Sequence, residues 1–205
     1  MNTSADKLTI CNMALGFLGT RTIASLEEKT PEAVQCKLYF DRARRGALRD
    51  YPYRFATRRV QLAGKEMPEV YAEDWRYAYG VPDGCLKVQR VHGARDRGEE
   101  KPFLLENSGE EILLFCNVEQ AQATCTFDIE DVAMWDDLFV MCMARYLACL
   151  LAVPLLKNNS SKVAELHQLY QAALPSAQGQ DASEGRRRKD IDPWLLARGS
   201  YWGIE

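Results

Sequence analysis

Three pairs of adjacent carboxylates, Glu27-Glu28, Glu110-Glu111 and Glu130-Asp131, and two histidines, His92 and His167, are the residues of this chain best suited to acid–base chemistry. A glycosidase needs two carboxyl groups facing one another across a cleft, and neighbours along a chain do not meet that need. A thiol hydrolase needs a cysteine held against an imidazole. His92 stands at the end of a predicted strand before Gly93, and His167 sits beside Leu166 in a predicted helix, so both read as structural. The seven cysteines, Cys11, Cys36, Cys85, Cys116, Cys125, Cys142 and Cys149, include no Cys-x-x-Cys pair, and the histidines lack a metal-ligand spacing. Neither Gly16-Phe-Leu-Gly nor the Gly93 loop fits a phosphate-cradling loop. No catalytic, cofactor-binding or metal-binding residue is nominated, and no cofactor is expected. Function must then run through surfaces and assembly.

The strongest surface signal is a run of arginines. Between Arg42 and Leu62 the chain places Arg42, Arg44, Arg45, Arg49, Arg54, Arg58 and Arg59 against one aspartate, Asp50, in a protein whose net charge is -3. Three readings are open. The cluster is a solvated helix face with intramolecular partners such as Asp41, Asp50, Glu27 or Glu28. Or it is a protein interface, where arginine is enriched. Or Arg42, Arg45, Arg49, Arg58 and Arg59 face nucleic acid, since phosphate contact without sequence preference needs only positive charge. The overall acidity argues against a tight grip on DNA.

Nearly half of the 205 residues are hydrophobic, enough for one sizeable core or two small ones. The scattered thiols, set among apolar neighbours, read as reduced side chains packed as small hydrophobes. The N-terminus shows no basic segment followed by an apolar run, so export by a signal peptide is not expected. Leu138 to Leu156 is almost wholly apolar, but Arg145 lies at its centre and Pro154 near its end. A central arginine costs about 2.5–3.5 kcal/mol on insertion scales, so the segment reads as a buried helix and no membrane contact is expected.

The elements that must position these residues are legible in outline. A first helix is predicted from about Ser4, as cap, to Leu18, with Leu8, Cys11, Leu15 and Leu18 on one face and Gly19 as its stop. A second begins with Thr30 as N-cap, Pro31 at the first helical position and Glu32 in the first turn. Its apolar stripe is Cys36, Phe40, Ala43 and Ala47, and the arginines occupy the other face, so the two helices are expected to pair as a hairpin. Pro52 must end the second helix within Asp50-Tyr-Pro-Tyr-Arg-Phe-Ala. From Phe55 to Asp128 the apolar period becomes two, with short strands around Val60–Leu62, Tyr77–Val81, Leu86–Val91, Phe103–Leu105, Ile112–Leu114 and Thr124–Thr126, and a tight hairpin at Asn107-Ser-Gly. The helical period returns in the apolar segment and, after Asn158-Asn-Ser-Ser, in a last helix with Val163, Leu166, Tyr170, Ala173 and Leu174 on one face. Pro175 and Gly179 should weaken its continuation. The fold class is therefore α+β: an antiparallel bundle of four main helices with an inserted small antiparallel β-sheet domain and an extended C-terminal arm. The boundaries are 1–54 for the first half of the bundle, 55–130 for the insertion, 131–184 for the second half and 185–205 for the arm.

The arm joins a polar linker, with Arg186, Arg187, Arg188 and Lys189, to Pro193-Trp-Leu-Leu-Ala-Arg-Gly-Ser-Tyr-Trp. Burying each such aromatic is worth about 1.5–3 kcal/mol, so the segment should dock, either on its own domain or on another subunit. The linker of about ten residues can span tens of Å, which favours the second. Trp194, Leu195, Leu196, Arg198, Tyr201 and Trp202 are the candidate contacts, with Arg186 to Lys189 supplying charge.

Several segments carry a resemblance. Ile10-Cys-Asn-Met-Ala-Leu-Gly-Phe-Leu-Gly, Ile23-Ala-Ser-Leu-Glu-Glu-Lys-Thr-Pro-Glu-Ala and Leu48-Arg-Asp-Tyr-Pro-Tyr-Arg-Phe-Ala are followed by Trp75-Arg-Tyr-Ala-Tyr-Gly-Val-Pro-Asp-Gly-Cys-Leu-Lys-Val-Gln-Arg-Val. Then come Arg145-Tyr-Leu-Ala, Leu151-Ala-Val-Pro-Leu and the tail from Trp194 to Arg198. Together, in this order, they resemble the tail tubular protein A group of short-tailed bacteriophages. Each segment alone is packing and turns; the order is what is specific. The resemblance implies a non-enzymatic head-to-tail adaptor of the virion tail, assembled in the host cytoplasm. It implies a ring of about twelve copies beneath the portal protein ring, holding the tail nozzle protein and lining the path of the genomic DNA without sequence specificity. The chain departs from the family's pattern at Pro175 and Gly179 and in the long loop Gly93 to Lys101. The alternatives are a soluble DNA-binding protein using the arginine face of the second helix and, behind it, a peptidoglycan-cleaving tail enzyme.

Overall fold

Helix α1, Lys7–Leu18, starts at Asp6, whose Oδ1 accepts the Thr9 amide at 2.6 Å, and stops at Gly19, which takes the left-handed φ of 70° that glycine adopts without cost. A computed structural model describes residues 6–93, 100–109, 111–156 and 159–183, with the backbone alone for 175–183. The expected cap Ser4 lies outside the described residues, and Asp6 caps the helix. Helix α2, Pro31–Asp50, opens as the sequence predicts: Thr30 Oγ1 accepts the Ala33 amide and Pro31 holds the first turn. It ends before Pro52. Helix α3, Asp137–Leu155, is capped by Asp136 through the Leu138 amide at 2.7 Å. Helix α4, Ser160–Ser183, starts where Asn159 Oδ1 accepts the Lys162 amide at 3.1 Å. The helix runs on through Pro175 and Gly179, against the expected weakening. Proline forfeits one hydrogen bond at an interior turn, but it does not end a helix whose preceding turns are anchored by packing, here by Leu166 and Tyr170.

The apolar α3 is the hub of the bundle. It packs on α1, α2 and α4, whereas α1 and α2 touch one another much less. The expected hairpin of α1 and α2 is corrected to this extent: α3 is the main partner of both. Phe139, Met143, Leu147 and Leu151 of α3 are fully buried with Ile10, Leu15, Phe40 and Leu48. By length and composition alone α3 could cross a membrane, and half of its most apolar stretch is buried in the bundle. Arg145 leaves this core between the ring of Phe17, 5.8 Å away, and the Leu169 carbonyl, to which Nη1 donates at 3.4 Å. Tyr51, Tyr53, Phe55, Trp135 and Phe139 form an aromatic cluster at the turn out of α2. The ring centroids of Tyr53 and Phe139 lie 4.8 Å apart and edge-on, and Trp135 Nε1 donates to the Ile129 carbonyl at 3.0 Å.

Between α2 and α3 lie seven strands: β1 Thr57–Gln61, β2 Ala63–Lys65, β3 Tyr77–Gly80, β4 Cys85–His92, β5 Phe103–Asn107, β6 Ile112–Cys116 and β7 Gln122–Phe127. Every predicted strand is present, but they form two antiparallel sheets where the sequence suggested one, ordered β1-β7-β4 and β2-β3-β6-β5. The chain passes from β1 to β2 through a single buried residue, Leu62. The sheets share a core of Leu62, Tyr79, Val88, Val91, Leu114, Cys116, Ala123, Cys125 and Phe127. The outer face of the second sheet is covered by Met67, Tyr71 and Trp75, with Tyr71 stacked on Phe115 at 4.4 Å. The β5–β6 turn is the expected hairpin: Gly109 has φ 94°, its amide donates to Asn107 Oδ1 at 2.8 Å, and the Ser108 amide donates to the Glu111 carbonyl.

Candidate functional site

The arginine run meets three different surroundings. Arg42, Arg45 and Arg49 form an exposed stripe on α2, as residues three and four apart must. Arg58 and Arg59 point to opposite faces of β1: the guanidinium of Arg58 lies 4.0 Å from the Phe127 ring centroid, and Arg59 lines a cleft on the other face. The five residues therefore do not make one basic patch.

Arg44 overturns its predicted place on the outer face, for it is 1 % exposed. Its Nε and Nη2 donate to Asp128 Oδ1 and Oδ2 at 2.7 and 3.0 Å, and its Nη1 donates to Asp41 Oδ1 at 2.6 Å. Glu130 Oε1 adds a longer contact at 3.4 Å. Arg45 Nε shares Asp128 Oδ2 at 2.8 Å. Of the partners expected from the sequence Asp41 serves Arg44, while Glu27 pairs with Lys37, Glu28 accepts the amides of Ala24 and Ser25, and Asp50 accepts the Tyr170 hydroxyl at 2.6 Å. Burial pushes the Asp128 carboxyl up, but the hydrogen bonds and charges of Arg44 and Arg45 outweigh it and hold it below the usual carboxylate range. The cluster ties the middle of α2 to the end of β7, and so fixes the first sheet on the bundle.

That first sheet has one apolar and one polar face. Val60, Ala123, Cys125, Val88 and Val91 face the shared core. Thr57, Arg59 and Gln61 of β1 stand opposite Thr126, Thr124 and Gln122 of β7 on the other face, and Arg90 of β4 pairs with Thr124 from the far side. There a cleft of about 410 Å³ is lined by Pro52, Thr57, Arg59, Gln89, Arg90, His92 and Thr124. Thr126 is fully buried behind the lining residues, accepting from Gln89 Nε2 at 3.1 Å and facing Thr57 Oγ1 at 3.5 Å; His92 Nε2 lies 3.0 Å from Thr124 Oγ1. Sequence reasoning saw Thr124 and Thr126 only as strand markers. The signal is the alternation Gln122-x-Thr124-x-Thr126 beside Thr57-x-Arg59-x-Gln61, polar at every second position, on the face away from the core.

A second concavity, of about 530 Å³, is lined by Leu26, Val34, Leu38 and the charged residues around them, with Val34 and Leu38 each about half exposed. The carboxylate pairs weighed for hydrolysis are committed locally: Glu111 pairs with Lys65 at 2.7 Å and Asp131 accepts the Ala133 amide at 3.0 Å. His167 is exposed on α4. Among the described residues no group of three or more His, Cys, Asp or Glu side chains is placed to hold a metal. Glu110 and the predicted contacts Arg186, Arg187, Arg188, Lys189, Trp194, Leu195, Leu196, Arg198, Tyr201 and Trp202 lie outside the described residues, as does most of the Gly93 to Lys101 loop. No protein-family model matches the chain, and no curated protein matches it.

Proposed function

We propose that this protein is a structural head-to-tail adaptor that forms a homo-oligomeric ring beneath a portal protein ring, carries a tail nozzle protein and borders the passage of genomic DNA. The observation that carries this reading is the joint order of the segments resembling the tail tubular protein A group. In the fold these segments are α1, the lead into α2, the aromatic turn out of α2, β3 and β4 with the turn that carries the chain from one sheet to the other, and the middle and end of α3. They are thus the framework of the bundle and its junction with the insertion, where a shared architecture would impose common residues. Exposed apolar side chains on the flanks, Val34 and Leu38 of α2 and Val153 of α3, at 51, 53 and 69 % exposure, suit contacts between neighbouring copies. The C-terminal arm, with its aromatic anchors, clasps the portal or the adjacent copy, and repetition around the ring multiplies a modest affinity. The β insertion is the seat for the nozzle.

The burial of Arg44 against Asp128 weakens the alternative of a DNA binder working through α2, because it removes one of that helix's cations from phosphate contact. Light scattering on the purified chain, alone and mixed with the portal ring from the same genome, tests the proposal. Capture of about one chain per portal subunit is the expected result. A chain ending at Glu184 should stay folded and lose that capture. An unassembled monomer that ignores the portal and binds DNA or cleaves cell wall refutes the adaptor reading.

A further inference from the structure

The polar cleft on the first sheet has no part in the adaptor reading, and its chemistry is specific. Polar side chains on a sheet face are ordinary where the face meets water, but here Thr126 is fully buried and His92 is only 6 % exposed. Across the floor, Arg59 of β1 and Arg90 of β4 both flank Thr124 of β7. Strands lie about 4.8 Å apart, so the two Cα atoms are about 10 Å apart and both guanidinium groups can reach one point above Thr124. Among the described residues no carboxylate lines the cleft. Among the described residues Arg59 makes a single long hydrogen bond, from Nη2 to the Gly93 carbonyl at 3.4 Å, and no ion pair. Arg90 pairs through Nε with Glu100 at 2.9 Å, but both side chains are about 60 % exposed, and pairs of that kind hold their partners weakly.

Two guanidinium groups brought to one concavity repel one another, and the exposed Glu100 partner of Arg90 offsets this only weakly. The neutral groups around them, the Gln89 amide and the hydroxyls of Thr57 and Thr124, are those that hydrogen-bond an oxyanion while adding no charge. We infer that this cleft is a binding site for a small phosphate group, free or carried as a monoester, gripped by Arg59 and Arg90 and oriented by Thr57, Gln89 and Thr124. A tetrahedral dianion offers several acceptor oxygens to two guanidinium forks, which a single carboxylate does not. The exposed stripe Arg42, Arg45 and Arg49 does not line the cleft, which favours a small ligand over an extended track for a duplex backbone.

Titration calorimetry on the full chain at low ionic strength, with inorganic phosphate, adenosine 5′-monophosphate and a short DNA duplex as separate probes, tests the inference. Saturable one-site binding of inorganic phosphate or of the nucleotide is expected, and the tighter of the two identifies the source. R59Q and R90Q should each weaken it about tenfold or more, while R42Q leaves it unchanged. Both altered side chains are exposed, so the variants fold; circular dichroism checks this directly. Binding that survives both R59Q and R90Q overturns the site. Binding of the duplex without either small probe overturns the ligand class. These outcomes are independent of portal capture, so the site can fail while the adaptor reading stands, and the reverse.

Discussion

Arg44 and Arg45 are neighbours that bind the same carboxylate in opposite settings, and replacing each in turn separates burial from charge. Arg44 is 1 % exposed and spends two hydrogen bonds on Asp128, itself only 10 % exposed; Arg45 is 59 % exposed and spends one. Removing one partner of a buried pair strands the other charge, which costs about 3–5 kcal/mol. An exposed pair is worth about 0–1 kcal/mol. R44M should therefore lower the unfolding free energy by about 3–5 kcal/mol, and the melting temperature by about 6–20 °C for a chain of this size. R45M should cost no more than about 1 kcal/mol. Asp41 and Glu130 carry the same charge as Asp128 and cannot make up the loss, and Arg45, which stays on Asp128 Oδ2, is 59 % exposed and screened by water. The assay is urea unfolding followed by tryptophan fluorescence and circular dichroism, with hydrogen exchange to locate the loss. Exchange should rise first in β1, β4 and β7, the sheet that the cluster holds to the bundle. Acid adds a second reading. Because the Asp128 carboxyl is held below its unfolded value, its contribution is present above about pH 4 and is lost as pH falls through the folded pKa. D128N should be less stable at neutral pH and less sensitive to acid than the parent. Equal losses in R44M and R45M, or an R44M loss under about 1 kcal/mol, would refute the assignment of a buried anchor.

Three further outcomes are expected. The Tyr170 hydroxyl is buried against Asp50, and burial first, then that carboxylate, raises its pKa beyond the usual range. Stability from this group is thus complete below the unfolded tyrosine pKa of about 10 and is lost above it. Y170F should cost about 1.5–3 kcal/mol at pH 7 and flatten the alkaline limb of a melting-temperature profile, and an unchanged limb would discount the contact. At Gly46 of α2 an added Cβ would stand 2.5 Å from Cε1 of Tyr146, whose ring is stacked on Tyr170 at 4.9 Å. G46A should destabilise by about 1–2 kcal/mol in the parent and become neutral or stabilising in a Y146L background, where helix propensity is left unopposed; the same sign in both backgrounds would show that the ring is not the obstacle. Among the thiols, Cys85 is half-buried and its pKa is lowered by a hydrogen bond from Cys125, whereas burial pushes Cys149 up to about 11 and raises Cys116 and Cys142. Maleimide labelling read by peptide mass should therefore reach Cys85 first, and equal labelling of Cys142 would contradict the packing around it.

What the sequence determined by itself is everything that local physics decides. Thr30 and Pro31 open α2, Gly19 closes α1 with a left-handed residue, Pro52 ends α2, Asn107-Ser-Gly109 turns a hairpin, and the switch of apolar period from 3.6 to 2 and back marks the insertion. These effects act within a few residues, so composition and spacing suffice. Which strands pair, by contrast, depends on contacts between distant segments: β7 joins β1 and β4 across some 30 to 70 residues, and no local pattern distinguishes one sheet from two. For the same reason the sequence alone places Arg44 with its neighbours on the outer face of the helix. Its helical position sits beside the apolar stripe, and only the arrival of Asp128 from the end of β7, 84 residues away, makes burial of its charge affordable. The anion cleft follows the same division. The polar alternation in β1 and β7 is written in the sequence, but the placing of Arg59 and Arg90 on either side of Thr124 exists only once three strands are aligned in register.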